Sequence, residues 1–298
     1  MTERPADEAT EAFVAVRNLL FTVAYELLGS AADAEDVLQE TWLRWSAVDL
    51  SEVRDARPYL VRITTRLALN RLRSAQRRRE TYVGPWLPEP LLTAPDVSEN
   101  AELAESLSMA LMVVLETLGP TERAVFVLRE VFGFEFDEIA RAVDKSPAAV
   151  RQIAHRARAH VEARRPRVTV SAAEVRAALD TFRVAVMTGD PQAMLDVLAP
   201  DVVLLSDGGG VKQAALRPIV GAEKVTRFAG GAMGKAPGVV TAETVVVNGA
   251  PALALAVDGE VDAVVSVQVK DGLITGIYIV RNPAKLTRIA EETELALR

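Results

Sequence analysis

Leu118–Glu162 reads LGPTERAVFVLREVFGFEFDEIARAVDKSPAAVRQIAHRARAHVE, and its second half decides the fold of the middle of the chain. Phe136–Val143 has the length and pattern of a short helix, and Asp144-Lys145 makes a turn. Ser146 followed by Pro147 is then a start signal, a capping hydroxyl before the residue best suited to a first helical turn. On the helix that follows, Val150, Ile153, Ala157 and Val161 form a stripe that can be buried. Arg151, His155 and Arg158 lie opposite, with Gln152 and Arg156 flanking. Small residues at the start permit close approach, and Arg, Gln and His reach base edges and phosphates, so the pattern predicts a helix-turn-helix reading duplex DNA. An ordinary helical hairpin with a basic end has the same spacing. His155 and His160 are the only histidines, and both fall on this helix, where contact with DNA or solvent suits them better than metal ligation.

Upstream, RPYLVRITTRLALNRLRSAQRRR spans Arg57–Arg79. Leu60, Ile63 and Leu67 form its core stripe, and Arg62, Arg66, Asn70, Arg73 and Gln76/Arg77 a polar one. Nine Arg against two acids between Arg54 and Glu80, with Tyr59, Trp42 and Trp45 nearby, favour nucleic acid over a merely solvated basic face. Guanidinium groups neutralise phosphates, and aromatic rings stack on unpaired bases. Before this helix, Ser30 is a cap for a helix running through Arg44, on which Asp33, Asp36, Glu40 and Arg44 share one face, with Gln39 beside Glu40. Ala34, Val37, Thr41 and Trp45 lie on another face and can be buried. A solvated acidic face is one reading; a helix docking on a basic partner is the other. An apolar helix over Ala12–Leu28 precedes it, ended by Gly29. Between the basic helix and the helix-turn-helix lies TYVGPWLPEPLLTAPDVSEN, with four prolines in twenty residues, an extended linker.

Downstream of Pro166 the pattern changes. Val168–Thr188 and Pro191–Leu198 read as helices. Strands are expected at Val202–Ser206, Gln213–Val220, Val239–Val247, Ala252–Val257, Val261–Val269 and Ile274–Val280, with a helix at Gly221–Met233 among them. Asn248-Gly249, Asp258-Gly259 and Asp271-Gly272 are strong hairpin signals. The C-terminal part is therefore α+β with a mainly antiparallel, curved sheet.

At about 150 residues per domain, 298 residues suggest two or three domains. Half the residues are hydrophobic and a quarter charged, which excludes a disordered or collagen-like chain. The absence of cysteine excludes disulfide scaffolds, Cys-ligated zinc and thiol nucleophiles. No apolar run reaches the roughly 18 residues of a membrane span, and MTERPADEATEA has no apolar signal core, so a cytoplasmic protein without membrane contact is expected. The net charge of −7 argues against a free-standing nucleic-acid binder. Its distribution argues otherwise, because two basic patches flank Glu80–Glu122, which contains no Lys or Arg.

DAEDVLQETWLRW (Asp33–Trp45) resembles the polymerase-docking segment of the extracytoplasmic-function (ECF) sigma factors of bacterial RNA polymerase. The resemblance implies that Asp33, Asp36, Gln39, Glu40 and Arg44 contact the polymerase core. It also implies that Arg62, Arg66, Asn70, Arg73 and Arg77, with the preceding loop Val48–Ala56, bind the melted minus-ten element, where a base is extruded from the stack. The helix-turn-helix resembles sigma region four, so Arg151, Gln152, His155, Arg156 and Arg158 would read the duplex minus-35 element. Three further motifs resemble the SigJ-like subgroup, which carries a C-terminal SnoaL-like/NTF2-like cone. They are Trp86-Leu87-Pro88-Glu89-Pro90 in the linker, Asp207-Gly208-Gly209-Gly210, and Asn282-Pro283-Ala284-Lys285-Leu286. Val211 before Lys212 and Ala284 in place of Asp depart from the subgroup's usual pattern.

The expected division is a sigma region 2 bundle over 1–80, a Pro-rich linker over 81–104, a region 4 helix-turn-helix over 105–166 and the α+β cone over 167–298. RNA polymerase core and promoter DNA are the expected partners, with an intramolecular contact between the C-terminal domain and the sigma domains that regulates in cis. No cofactor, metal or catalytic residue is expected, since an Asp–His pair cannot form where no histidine follows His160. Two rivals stay open: a ligand-responsive helix-turn-helix regulator independent of polymerase, and a SnoaL-like enzyme fused to a DNA-binding module.

Overall fold

The structure, a computed structural model, describes residues 4–94, 101–164 and 170–297. The described residues gather into two units. One lies within Met1–Glu80, Val114–Pro166 and Glu294–Arg298; the other lies within Thr81–Val113 and Arg167–Thr293.

The first unit is helical. Three long helices, α1 (Arg4–Leu28), α2 (Ala31–Trp45) and α3 (Ala56–Arg79), pack through Leu19, Leu20, Leu27, Val37, Leu60 and Leu72, each at most 2% exposed. Ser30 caps α2, its hydroxyl accepting from the Asp33 amide at 3.3 Å. Ala34, Val37, Thr41 and Trp45 are buried, as their spacing requires. The same unit contains α6 (Pro120–Phe126), a π-helical turn at Val127–Val131, α7 (Phe136–Val143) and α8 (Pro147–Arg164). Asp144 ends α7 in the left-handed conformation, φ 55°, and the Ser146 hydroxyl accepts from the Ala149 amide at 3.2 Å at the start of α8. Val150, Ala157 and Val161 are buried on α8, joined by Ala154, while Ile153 is half-buried.

The second unit is α+β. Helices α9 (Ala172–Thr188), α10 (Pro191–Val197) and α11 (Ala222–Met233) accompany six strands: β1 (Leu198–Asp207), β2 (Ile219–Val220), β3 (Val240–Val247), β4 (Ala250–Val257), β5 (Glu260–Lys270) and β6 (Leu273–Val280). They form one sheet in the order β2-β1-β6-β5-β4-β3, antiparallel except for the β1–β6 pair. All three hairpin dipeptides turn with both residues at positive φ, the requirement that Asn-Gly and Asp-Gly satisfy at least cost. Residues alternate between two buried faces. Leu204, Leu253, Val265 and Ile277 pack on the helices, whereas Leu205, Ala252, Val264 and Tyr278 face the other way.

Two sequence expectations need correction here. Strand pairing over Gln213–Val220 shrinks to Ile219–Val220 because the backbone before it is diverted. The Val211 and Lys212 amides bond to the Gly208 carbonyl, Arg281 takes the Gln213 carbonyl at 2.7 Å, and Pro218 has no amide to donate. The helix expected over Val168–Thr188 begins at Ala172 behind a Ser171–Glu174 capping box, and Val168 lies outside the described residues.

The linker is not a free tether. Leu87 and Leu91 have no exposed surface. Leu87 packs with Met109, Val280, Leu205 and Tyr278, and Leu92 bridges to Val247 beside edge strand β3. The Asn248 amide group donates to the Leu107 carbonyl at 3.1 Å, tying α4 (Ala101–Leu107) to the same unit. Within α5 (Met109–Leu115) the grouping changes between Val113 and Val114. Residues 95–100 of the linker lie outside the described residues.

Candidate functional site

On α2, Asp36, Gln39, Glu40 and Arg44 are exposed, and Glu40 and Arg44 pair at 2.6 Å. Leu43, 63% exposed, lies among them, an apolar side chain that the charge pattern did not single out. Asp33 is set apart: its carboxylate accepts from Arg71 Nε of α3 at 2.7 Å, and Arg71 also reaches Asp36. Burial works against the Arg71 charge, but these two carboxylates hold its pKa above the ordinary value. Arg71 lies outside the polar stripe of α3, so spacing alone did not mark it.

Along α3, Arg66, Asn70, Arg73 and Arg77 are exposed and Arg62 is half-buried with its guanidinium 4.6 Å from the Tyr59 ring centre. Asn70 accepts from Arg73 at 3.1 Å. The aromatic neighbours divide. Trp45 is 1% exposed and donates its indole N–H to the Ala9 carbonyl at 2.8 Å, so it is a core residue and cannot stack on a base. Trp42 is half-buried against Phe13, leaving Tyr59 as the ring nearest the arginines. In the loop before α3, Ser51 donates twice to Asp49 and holds that carboxyl below the usual carboxylate range.

On α8, Arg151, Gln152, His155, Arg156 and Arg158 are all exposed. Arg158 is also held in place: Glu130 accepts from it at 2.5 and 3.1 Å, and this bonding raises its pKa. Arg151 lies 5.5 Å from the Phe136 ring centre.

The three short motifs meet in the second unit around Asp207, which has no exposed surface. Its carboxylate accepts from the Tyr82 hydroxyl (2.7 Å), the Leu87 amide (2.9 Å), the Gly209 amide (3.0 Å) and the Lys285 ammonium (2.7 Å). Lys285 also donates to the Leu87 carbonyl at 2.5 Å and sits 4.0 Å from the Trp86 ring centre. Asn282 donates to the Tyr82 hydroxyl at 2.8 Å and accepts from the Ala284 amide. Burial, then the bond to Asp207, pushes the Tyr82 pKa well above its ordinary value, so the hydroxyl stays a donor. The glycines are needed for contact. A Cβ on Gly208 would meet the Lys212 carbonyl oxygen at 2.1 Å, and one on Gly209, φ 64°, would meet the Asn282 side chain at 2.5 Å. Pro88 and Pro90 complete the buried run that includes Glu89, 4% exposed, while Gly210 abuts Val83 and Pro283 is exposed. Ala284 is exposed and Val211 is 76% exposed, so both departures from the subgroup pattern fall at the surface.

Among the described residues no group of three or more His, Asp or Glu could hold a metal ion, and no helix is long and apolar enough to cross a membrane.

Comparison with known proteins adds two family matches, Sigma-70 region 2 over residues 12–78 and Sigma-70, region 4 over residues 108–161. The chain is 37% identical to the ECF RNA polymerase sigma factor SigJ of Mycobacterium tuberculosis over 288 residues, 92% of each chain. It is 30% identical to the probable ECF RNA polymerase sigma factor SigI of the same species, over 96% of this chain and 97% of the other. The crystal structure of Mycobacterium tuberculosis SigJ superposes with a TM-score of 0.73 at 33% identity, covering 94% of this chain and 98% of that one.

Proposed function

The chain belongs to the ECF family of RNA polymerase sigma factors, and from that premise we propose which of its surfaces performs each step. As a sigma factor it binds core RNA polymerase and directs promoter recognition and transcription initiation. Asp36, Gln39, Glu40 and Arg44 of α2 form the docking face for the polymerase core, with Asp33 at its inner edge. Arg62, Arg66, Asn70, Arg73 and Arg77 of α3 hold the melted minus-ten strand. Arg151, Gln152, His155, Arg156 and Arg158 of α8 read the minus-35 duplex. The α+β domain regulates in cis through the linker and performs no catalysis. Asp207, the one carboxylate its sequence motif offered as a base, is occupied by four donors, and the helix-packed face of the sheet is filled by apolar side chains.

The observation that carries the regulatory reading is the Asp207 hub, which joins the linker, the glycine turn and the 282–286 segment in one buried constellation. The docking assignment has a direct test. The double variant Gln39→Ala, Glu40→Ala removes exposed groups that no buried neighbour depends on. It is expected to weaken binding to core polymerase about tenfold, the loss of a modest hot spot, with the unfolding midpoint unchanged. Unaltered affinity would place the docking face elsewhere.

A further inference from the structure

The polar stripe of α3 is the stripe on which region 4 lies in this structure. From one end of α3 to the other, region 4 supplies the partners. The Arg57 guanidinium is 5.7 Å from the Phe134 ring centre. Pro58, Val61 and Arg62 line a groove with Leu128, Phe134 and Ile139. Arg66 donates to the Arg141 carbonyl at 3.0 Å, and Gln76 donates to the Leu118 carbonyl at 3.3 Å. At the far end Glu116 accepts from both Arg79 and Arg123. These two arginines also cap the C-terminal turn of α1: Arg123, 0% exposed, donates to the Glu26 carbonyl at 2.8 and 3.1 Å, and Arg79 donates to the Leu28 carbonyl at 2.5 Å. The reading helix α8 is treated differently, because its Arg151, Gln152, His155 and Arg156 remain exposed.

We propose that region 4 is an occupant in cis of the minus-ten site, a closed state that masks Arg62 and Arg66 with α7 and is clasped by the Arg79–Glu116–Arg123 cluster. The proposal rests on the assignment of α3 to the minus-ten strand. The closed state cannot engage a promoter. The minus-ten and minus-35 elements are about 25 base pairs apart, which at about 3.4 Å per pair is about 85 Å. Side chains of α3 and α7 in hydrogen-bond contact cannot span that distance, so α7 must leave α3 before both elements are held. The free protein therefore presents its duplex-reading helix while withholding the helix that grips the melted strand, and docking on polymerase must supply the opening.

The lack of cysteine makes the test clean. Ser74→Cys on α3 and Lys145→Cys after α7, both exposed and outside the proposed contacts, carry a spin-label pair in the full chain. A single narrow distance in the free protein that lengthens on adding core polymerase is the expected result. The same distance with and without core overturns the proposal, as does a broad distribution in the free protein. A second measurement uses Glu116→Gln and a fluorescent single-stranded minus-ten oligonucleotide. Loss of the clasp should tighten binding by the free protein about tenfold, the factor expected when a site is open in about one molecule in ten. Unchanged affinity, with the label pair still reporting closure, would mean the clasp does not hold the state. Arg62→Ala, Arg66→Ala in the polymerase-bound protein separates the two ideas. If minus-ten binding survives that change, the assignment of α3 fails, whatever the label distances report.

Discussion

Asp207 occupies the last position of β1, and every donor around it comes from a segment distant in sequence: Tyr82 and Leu87 from the linker, Gly209 from the turn, Lys285 from beyond β6. A carboxylate at 0% exposure is tolerated because one ammonium balances its charge and three neutral donors satisfy its lone pairs. Removing the cation alone leaves the charge buried. Lys285→Met keeps the stem's volume and should cost about 3 kcal/mol, the lower end for a buried pair broken on one side. Tyr82→Phe removes one neutral donor and should cost about 1 kcal/mol. Hydrogen exchange at the Leu87 amide reports both, since that N–H is bonded to the same carboxylate; equal protection in the two variants would mean that Lys285 is not the counter-ion that matters.

At the scale of elements, α2 separates docking from positioning. Asp33 and Glu40 share a helix face in the sequence pattern, yet Arg71 draws Asp33 toward α3 while Glu40 faces solvent. Asp33→Asn should therefore lower stability by about 0.5–1 kcal/mol, a partly exposed and screened pair, and leave core affinity within about twofold. A larger affinity loss than that of Glu40→Gln, read by titration with core polymerase, would reverse the two roles. The example also marks what the sequence could tell. Periodicity and capping located α2, α7, α8 and five of the strands closely, because hydrophobic spacing and Asn-Gly or Asp-Gly turns are local signals. The three motifs were legible as motifs. Their convergence on Asp207 was not, since it depends on contacts some 80 to 200 residues apart. The same holds for Arg71, Arg123 and Glu116, whose roles come from which helix lies opposite, and for Trp45, whose place beside a basic helix suggested stacking although its indole is spent on the Ala9 carbonyl.

For the molecule as a whole, the chain between regions 2 and 4 is folded into the α+β unit, so that unit controls the connection between them. Residues 294–297, by contrast, group with the helical unit: the Ala296 amide donates to the Thr22 hydroxyl at 3.0 Å and Asn18 donates to Glu294 at 2.9 Å. Removing residues 167–298 is then a blunt experiment. It strips the cover from Leu87, Leu91 and Met109, side chains at 0 to 4% exposure whose burial is worth about 1.5–3 kcal/mol each. The shortened chain should bind a hydrophobic dye and aggregate, and any loss of transcription it shows would report that damage. The double variant Asp207→Asn, Lys285→Met is the sharper instrument. It removes both charges of the hub together, which avoids an orphaned buried ion, and keeps the apolar cover of the linker. If the hub sets the slack available to region 4, loosening it favours departure of α7 from α3, and run-off transcription with core polymerase should rise at least about twofold, the response to a shift of only about 0.4 kcal/mol. Equal output from the variant and the parent chain, with the Leu87 amide exchanging faster in the variant, would show that the linker moves without consequence and would remove the regulatory role of the α+β domain.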